Sequence, residues 1–247
     1  MIGVDNVKEF QVICIDMFQT LVNIYTRRNF IWQRILGEEY SLELQELYGQ
    51  QLDRQIFEKF HIHISESKEF FNLKSIFEIY FSQIFKENNL SYEAKKAAEI
   101  FTGEHGYAVP YEDTEMFLDI VGKKYPICLV SDADFNMVAP LLKKFKFDKV
   151  FISEEVRAYK KDSENKMFKK VLEYYGVEPG RILHIGDSSS DIIGASNLGI
   201  STCWINRHDY KLKSDVEPTY KVKTLIEVLS ILGIEVDNNI NIGIKYA

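Results

Sequence analysis

Proline is missing from the first 109 residues of this 247-residue chain; all five prolines (Pro110, Pro126, Pro140, Pro179 and Pro218) fall in the remainder. The N-terminal part therefore carries no residue that would kink or stop a helix from within. Cysteine is scarce: Cys14, Cys128 and Cys203 stand far apart, form no C-x-x-C pair and each sits in a short aliphatic run. That pattern argues against ligand or nucleophile roles and for buried reduced thiols. Positive charge is in deficit, with 30 Lys and Arg against 37 Asp and Glu, a net −7. The general attraction to polyanions is absent, so no nucleic-acid partner is expected. Strongly apolar runs last four to six residues, as in Val12-Ile13-Cys14-Ile15, whereas a bilayer span needs about 20. No basic n-region followed by an apolar h-region opens the chain, and the expectation is a cytosolic protein without membrane contact.

What is present points to a globular α/β protein. Hydrophobic types make up 46% of the chain, enough to bury roughly three quarters of the unfolded surface in one or two domains. Val12 to Ile15, Ile127 to Val130 and Ile182 to Ile185 read as buried parallel strands, short apolar runs ending in small or polar residues, and Lys149 to Ile152 and Ser201 to Ile205 follow the same style. Helices are expected at Thr114 to Val121, Ser163 to Tyr175, Ser189 to Leu198 and Val222 to Leu232, each stopped by a glycine. The alternation predicts a doubly wound, mostly parallel sheet with helices on both faces.

The segment 22–108 breaks the alternation. It holds 16 of the 33 aromatic residues, only four glycines and no proline, and its apolar residues recur at helical spacing, most clearly Phe70, Leu73, Phe77, Tyr80, Phe81, Ile84 and Phe85. Ser41 and Ser91 are candidate N-caps, so about four inserted helices are expected. With 10 basic and 13 acidic residues the insert is no basic docking module. His61 and His63, two apart in a helix, point to different faces and argue against a metal pair. Val236 to Ala247 reads as a loosely held tail.

In a parallel sheet the carboxyl ends of the strands face one crevice. The polar residues ending the predicted strands should therefore converge: Asp16 with Thr20, Ser131 with Asp132 and Asp134, Lys160 and Lys161, and Gly186-Asp187 with Asp191. Carboxylates, a hydroxyl and a lysine around one point suit a divalent cation and an anionic group.

These residues resemble the haloacid dehalogenase superfamily of hydrolases. The resemblance rests on Asp16-Met17-Phe18-Gln19-Thr20-Leu21 after an apolar strand, on Leu129-Val130-Ser131-Asp132, on Ala158-Tyr159-Lys160-Lys161-Asp162, and on His184-Ile185-Gly186-Asp187 with Asp191 and Gly194-Ala195. It implies a catalytic core of residues 1–21 and 109–247 and a helical cap, 22–108, inserted between the first two motifs. It implies Asp16 as a nucleophile forming an aspartyl-phosphate, and Mg²⁺ held by Asp16, Asp187, the Phe18 carbonyl and Asp191, directly or through water. Ser131, Lys160 and the backbone amides after Asp16 would hold the phosphoryl group of a small phosphorylated substrate, with Phe18, Gln19, Thr20, Asp132 and Lys161 lining it.

Two positions depart from the family pattern. The family's phosphatases carry a second aspartate, the acid and base of both half-reactions, where this chain has Phe18; general acid–base help is worth about 10²- to 10⁴-fold. Lys161 stands where a proline usually follows the site lysine, leaving Lys160 and Lys161 as alternatives. An aromatic at position 18 is reminiscent of the metal-free dehalogenases, in which the same aspartate displaces halide from carbon. A halide leaves without protonation, however, and has no use for Asp187 and Asp191. A Mg²⁺-dependent phosphatase is therefore the first expectation. A 2-haloacid dehalogenase is the second, and a non-catalytic phospholigand-binding homologue the third. His184 is expected as a buried, hydrogen-bonded histidine, Arg27 and Arg28 as a solvated helix start, and the phenylalanines of 70–85 mostly as bundle core.

Overall fold

A computed structural model describes residues 9–65 and 69–235; the expected C-terminal tail, 236–247, lies outside them. Along the chain come β1 (Val12–Ile15), β2 (Val22–Asn23), α1 (Arg28–Leu36), α2 (Leu42–Ser65), α3 (Leu73–Glu87), α4 (Ala94–His105) and β3 (Val109–Pro110). There follow α5 (Thr114–Val121), β4 (Ile127–Ser131), α6 (Phe135–Leu142), β5 (Lys149–Ile152), α7 (Ser153–Val156) and α8 (Lys166–Tyr175). The last are β6 (Ile182–Gly186), α9 (Ser189–Ser196), β7 (Ser201–Ile205), β8 (Tyr220–Val222) and α10 (Leu225–Ile231).

Six strands form one parallel sheet in the order β5-β4-β1-β6-β7-β8. The chain winds outward from β1 to β5, then returns to the other side of β1 for β6 to β8. The reversal falls at β1, whose neighbours β4 and β6 belong to different halves, and a crevice opens there at the strand ends. Period-2 alternation explains the continuous apolar runs. Ile13 and Ile15 face one cluster, with Phe117 of α5 and Val228 and Leu229 of α10. Val12 and Cys14 face the opposite one, with Met167, Phe168 and Val171 of α8 and Ala195 of α9. All three cysteines are free and buried, as expected.

The insert leaves and re-enters through a two-stranded antiparallel ribbon that pairs Val22 with Pro110 and Asn23 with Val109. Its helices α1 to α4 close around a separate cluster that includes Trp32, Tyr80, Phe81 and Ile84. Met137 and Tyr159 from the sheet side complete that cluster. Hydrogen bonds around the start of α3 help to hold the insert down. Asp134 accepts the N–H groups of Leu73 (2.8 Å) and Lys74 (2.7 Å) at the start of α3. Glu154 accepts Asn72 Nδ2, and the Tyr159 hydroxyl donates to the Phe71 carbonyl.

Several boundaries differ from the expectations. Val222 ends strand β8 and the last helix starts at Leu225. The reason is a capping box in which Thr224 and Glu227 satisfy each other's N–H groups. Ser41 caps α2 through the Leu44 N–H, but Ser91 caps nothing, because α4 starts at Ala94 after Glu93. Phe70 precedes α3 and packs on Tyr159. Among the described residues no helix is long and apolar enough to cross a membrane.

One close approach fixes the segment carrying Lys160. A Cβ on Gly194 of α9 would lie 2.0 Å from the Lys160 carbonyl oxygen and 2.9 Å from Phe168 Cε2, so only glycine lets this segment seat on the helix. Gly194→Ala is expected to destabilise the fold by about 1–3 kcal/mol, as overpacking does. Urea denaturation checks it; a loss below about 0.5 kcal/mol, the level of a neutral surface change, would show that the segment yields freely.

Candidate active site

Asp16 follows β1 directly, with its N–H donated to the Ile185 carbonyl (2.9 Å), so its side chain emerges between the ends of β4 and β6. Ser131, the last residue of β4, donates its hydroxyl to Asp16 Oδ1 (2.8 Å). Lys160, in the segment between α7 and α8, donates Nζ to Asp16 Oδ1 (2.9 Å) and to Asp191 Oδ1 (2.6 Å). Its main-chain N–H is taken by Asp132 Oδ1 (2.8 Å). One lysine is thereby tied to three carboxylates.

Asp191 lies in the first turn of α9 and is fully buried. Its Oδ1 accepts from Lys160 and from His184 Nε2 (2.8 Å), and its Oδ2 from the N–H and hydroxyl of Ser188 (3.0 and 2.6 Å). Four bonds fill a carboxylate's acceptor capacity. Gly186 makes the approach possible, since a Cβ there would lie 2.1 Å from Asp191 Cγ. Oxygens of Asp16, Asp187 and Asp191 lie within 4.8 Å of one another.

The charges explain the titration directions. Burial works to raise Asp191, but Lys160 and then His184 hold its carboxyl well below the usual range. Burial likewise works to lower Lys160, and Asp16, Asp191 and Asp132 together hold it well above an ordinary lysine. Asp16 is raised by burial against the pull of Lys160. Loss of solvation, then repulsion from Asp16 and Asp191, drives Asp187 far up. Burial pushes Asp132 up to about 7.

The loop after Asp16 folds back on itself: Gln19 N–H donates to the Val22 carbonyl and Val22 N–H to the Met17 carbonyl. The Gln19 amide is therefore spent. Those of Met17 and Phe18 carry no main-chain partner among the described residues. Gln19 takes a positive φ of 59°, and its Oε1 accepts the Ile24 N–H (3.0 Å). Thr20 is fully buried, with its carbonyl gripped by Arg207 Nε and Nη2 (3.1 and 2.9 Å). The same guanidinium forms a bidentate pair with buried Asp113. The Phe18 ring turns toward the insert and meets His105 of α4 edge-on at 5.3 Å. Burial lowers His105 to about 4, and its Nδ1 is bonded to the Phe101 carbonyl.

Asp16, Ser131, Asp132, Lys160, Asp187 and Asp191 thus come together. Lys160 is the lysine in the crevice, while Lys161 stays partly exposed with no bond to any of the carboxylates. Asp134 does not join them: it spends both oxygens capping α3, because that helix start offers two bare N–H groups. Arg27 is only partly solvated: it pairs with buried Glu104 of α4 (2.6 Å). His184 is buried and hydrogen-bonded as expected. Sequence reasoning missed Ser188, although Ser188-x-x-Asp191 is a readable capping pattern. It also missed Arg207, for which no local signal exists.

Among proteins of known description, the chain is 39% identical over 88 residues to the pyrimidine 5'-nucleotidase YjjG of Escherichia coli, covering 35% of this chain and 38% of that protein. It is 35% identical over 88 residues to the pyrimidine 5'-nucleotidase PynA of Streptococcus pneumoniae, 35% of this chain and 36% of the relative. The chain therefore matches little more than a third of the length of these relatives. Among solved structures, the putative HAD-hydrolase YfnB from Bacillus subtilis bound to magnesium superposes with TM-score 0.78 at 17% identity, covering 92% of this chain and all of that one. The L-2-haloacid dehalogenase from Xanthobacter autotrophicus gives 0.76 at 15% identity, over 91% and 98% of the two chains. At such identities these likenesses speak for the fold alone. The sequence profile of the haloacid dehalogenase-like hydrolases, however, matches residues 10–199, all four strand-end motifs included, and the chain belongs to that family.

Proposed function

We propose that the protein is a Mg²⁺-dependent phosphoesterase acting on a small phosphorylated metabolite through an aspartyl-phosphate on Asp16. The observation that carries this reading is the convergence of Asp16, Asp187 and Asp191 with Lys160 and Ser131 at the β1–β6 crevice. The all-oxygen donor set suits a hard cation, and the repulsion from Asp16 and Asp191 that adds to burial in raising Asp187 is a field such a cation relieves. Asp16, Asp187 and the Phe18 carbonyl would hold the Mg²⁺; Asp191, whose four acceptor positions are taken by Lys160, His184 and Ser188, would serve the cation or its water only by giving up one of those bonds. When bound, the cation screens the repulsion between a carboxylate and a phosphate dianion and polarises the phosphoryl oxygens.

Asp16 supplies the nucleophile. Ser131 and Lys160 fix its Oδ1 and so orient Oδ2, which carries no hydrogen bond from the described residues, toward the crevice. Attack on phosphorus forms the Oδ2–P bond and breaks the P–O bond to the leaving group. Water then attacks the phosphorus of the acyl phosphate, releasing inorganic phosphate and restoring the carboxylate. Lys160 and the free N–H groups of Met17 and Phe18 stabilise the charge on the transferring oxygens. Residues 22–108, packed above the crevice, would act as the cap, with Phe18, Gln19, Thr20 and Asp132 framing the phosphoryl pocket. The names of YjjG and PynA make nucleoside monophosphates one class to assay.

A dehalogenase reading is favoured by Phe18 alone. Two further carboxylates beside the nucleophile disfavour an anionic haloacid, and halide release without metal from a 2-haloacid panel is the assay that would reinstate it.

Two outcomes are expected. Hydrolysis of p-nitrophenyl phosphate should fall by at least about 10³-fold in Asp16→Asn, as for removal of a nucleophile, and should be lost on chelation with EDTA; activity surviving both would refute the reading. Phe18→Asp should raise the steady-state rate by about 10²-fold or more, the low end of acid–base assistance. It should also lower the melting temperature, because the ring packs against three apolar clusters. A folded variant with an unchanged rate would show that Phe18 is not the handicap.

A further inference from the structure

We propose that the leaving group is aromatic: the substrate is an aryl phosphate monoester whose ring lies on a shelf formed by Tyr25, His208 and Tyr210 at the mouth of the crevice. The proposal rests on the phosphoesterase reading above and specifies its substrate class.

Two separate observations lead to it. The first is the phenyl ring of Phe18, two residues after the nucleophile, where the family pattern places the acid. Asp16, Asp187 and Asp191 belong to the nucleophile and cation cluster, and Asp132 accepts the Lys160 N–H. The histidine beyond the Phe18 ring spends Nδ1 on a backbone carbonyl. Without an acid at that position, the P–O bond would break to a free oxyanion, which takes its proton from water only after departure. An alkoxide leaves poorly on those terms; a phenolate, which delocalises the charge into its ring, leaves well.

The second observation is the shelf. β7 ends beside β6, and Trp204 Nε1 donates to the Asp187 carbonyl (2.8 Å), so the loop carrying His208 and Tyr210 emerges next to the carboxylate cluster. The Tyr25 hydroxyl, at the start of the insert, meets that of Tyr210 at 3.1 Å. His208 packs against Tyr25 and Tyr210, with centroids 5.7 and 5.6 Å away, and is held by the Tyr111 hydroxyl (2.9 Å). Tyr25 and Tyr210 nevertheless remain 44% and 56% exposed. Exposed rings beside a phosphoryl site offer π-faces for a planar group.

The test compares phenyl phosphate with a fluorinated alkyl phosphate of matched leaving-group acidity. The expected result is a kcat/KM at least about tenfold higher for phenyl phosphate, the size of one aromatic stack, with Tyr210→Ala and Tyr25→Leu each bringing the ratio toward one, chiefly through KM. A ratio near one in the wild type, or one that neither variant changes, overturns the proposal; so does faster turnover of uridine 5'-phosphate than of phenyl phosphate. Circular dichroism verifies that the variants fold. If no ester is hydrolysed, the phosphoesterase reading falls, and calorimetry decides the shelf: tighter binding of phenyl phosphate than of inorganic phosphate, lost in Tyr210→Ala, supports it, and equal binding removes it.

Discussion

The site depends on placing one ammonium group among carboxylates that are largely withdrawn from water. Lys160 is 3% exposed, and Asp16 and Asp191, which share its charge, are 4% and 0% exposed. Removing one partner from such a buried set typically costs about 3–5 kcal/mol, because the remaining charge is left uncompensated. The surrounding chain is shaped to prevent this. Gly194 lets the Lys160 backbone touch α9, Gly186 lets Asp191 turn in beneath β6, and His184 and Ser188 fill the rest of the Asp191 carboxylate. Asp191, saturated in this way, anchors the lysine, and the lysine in turn holds Asp16 at the end of β1.

The insert is coupled to the same framework. Asp134 and Glu154, at the ends of β4 and β5, spend their carboxylates on the start of α3, and Tyr159, one residue before Lys160, bonds the Phe71 carbonyl. On the other flank Arg207 binds the Thr20 carbonyl and Asp113 at once, and so ties together the two stretches of core from which the insert leaves and to which it returns. Movement of the insert relative to the sheet must therefore strain the segments next to Ser131, Lys160 and Asp16.

The strands were legible because a parallel sheet covered on both faces leaves uninterrupted apolar runs, and Lys149–Ile152 and Ser201–Ile205 fall where the pattern puts them. The convergence of Asp16, Ser131, Lys160, Asp187 and Asp191 followed from the same topology. Short-range chemistry decided what was misread. β8 has three residues and is set by pairing with β7, which no local period reveals. In sequence Asp134 resembles a fifth site carboxylate; its partners lie about 60 residues earlier in the chain, which no local pattern reveals. Lys160 and Lys161 are alike in sequence, and only the turn that precedes α8 distinguishes the buried one from its neighbour.

Phe18 shows how a site position can be taken over by packing. Its ring borders three apolar clusters, one around β1, one within the insert and one beneath α6, and it meets His105 edge-on. A carboxylate at that junction would lose its hydration without gaining a donor, since the His105 Nδ1 is already bonded to Phe101. The loop after Asp16 is instead joined to the insert by apolar contact. In the proposed mechanism, electrostatic stabilisation by Lys160 and the loop amides would act on the transferring oxygens, not on the departing one. The barrier would then depend more steeply on how well the leaving group carries negative charge, and discrimination among substrates would shift from the acid–base step to the chemistry of the leaving group and the surface that receives it.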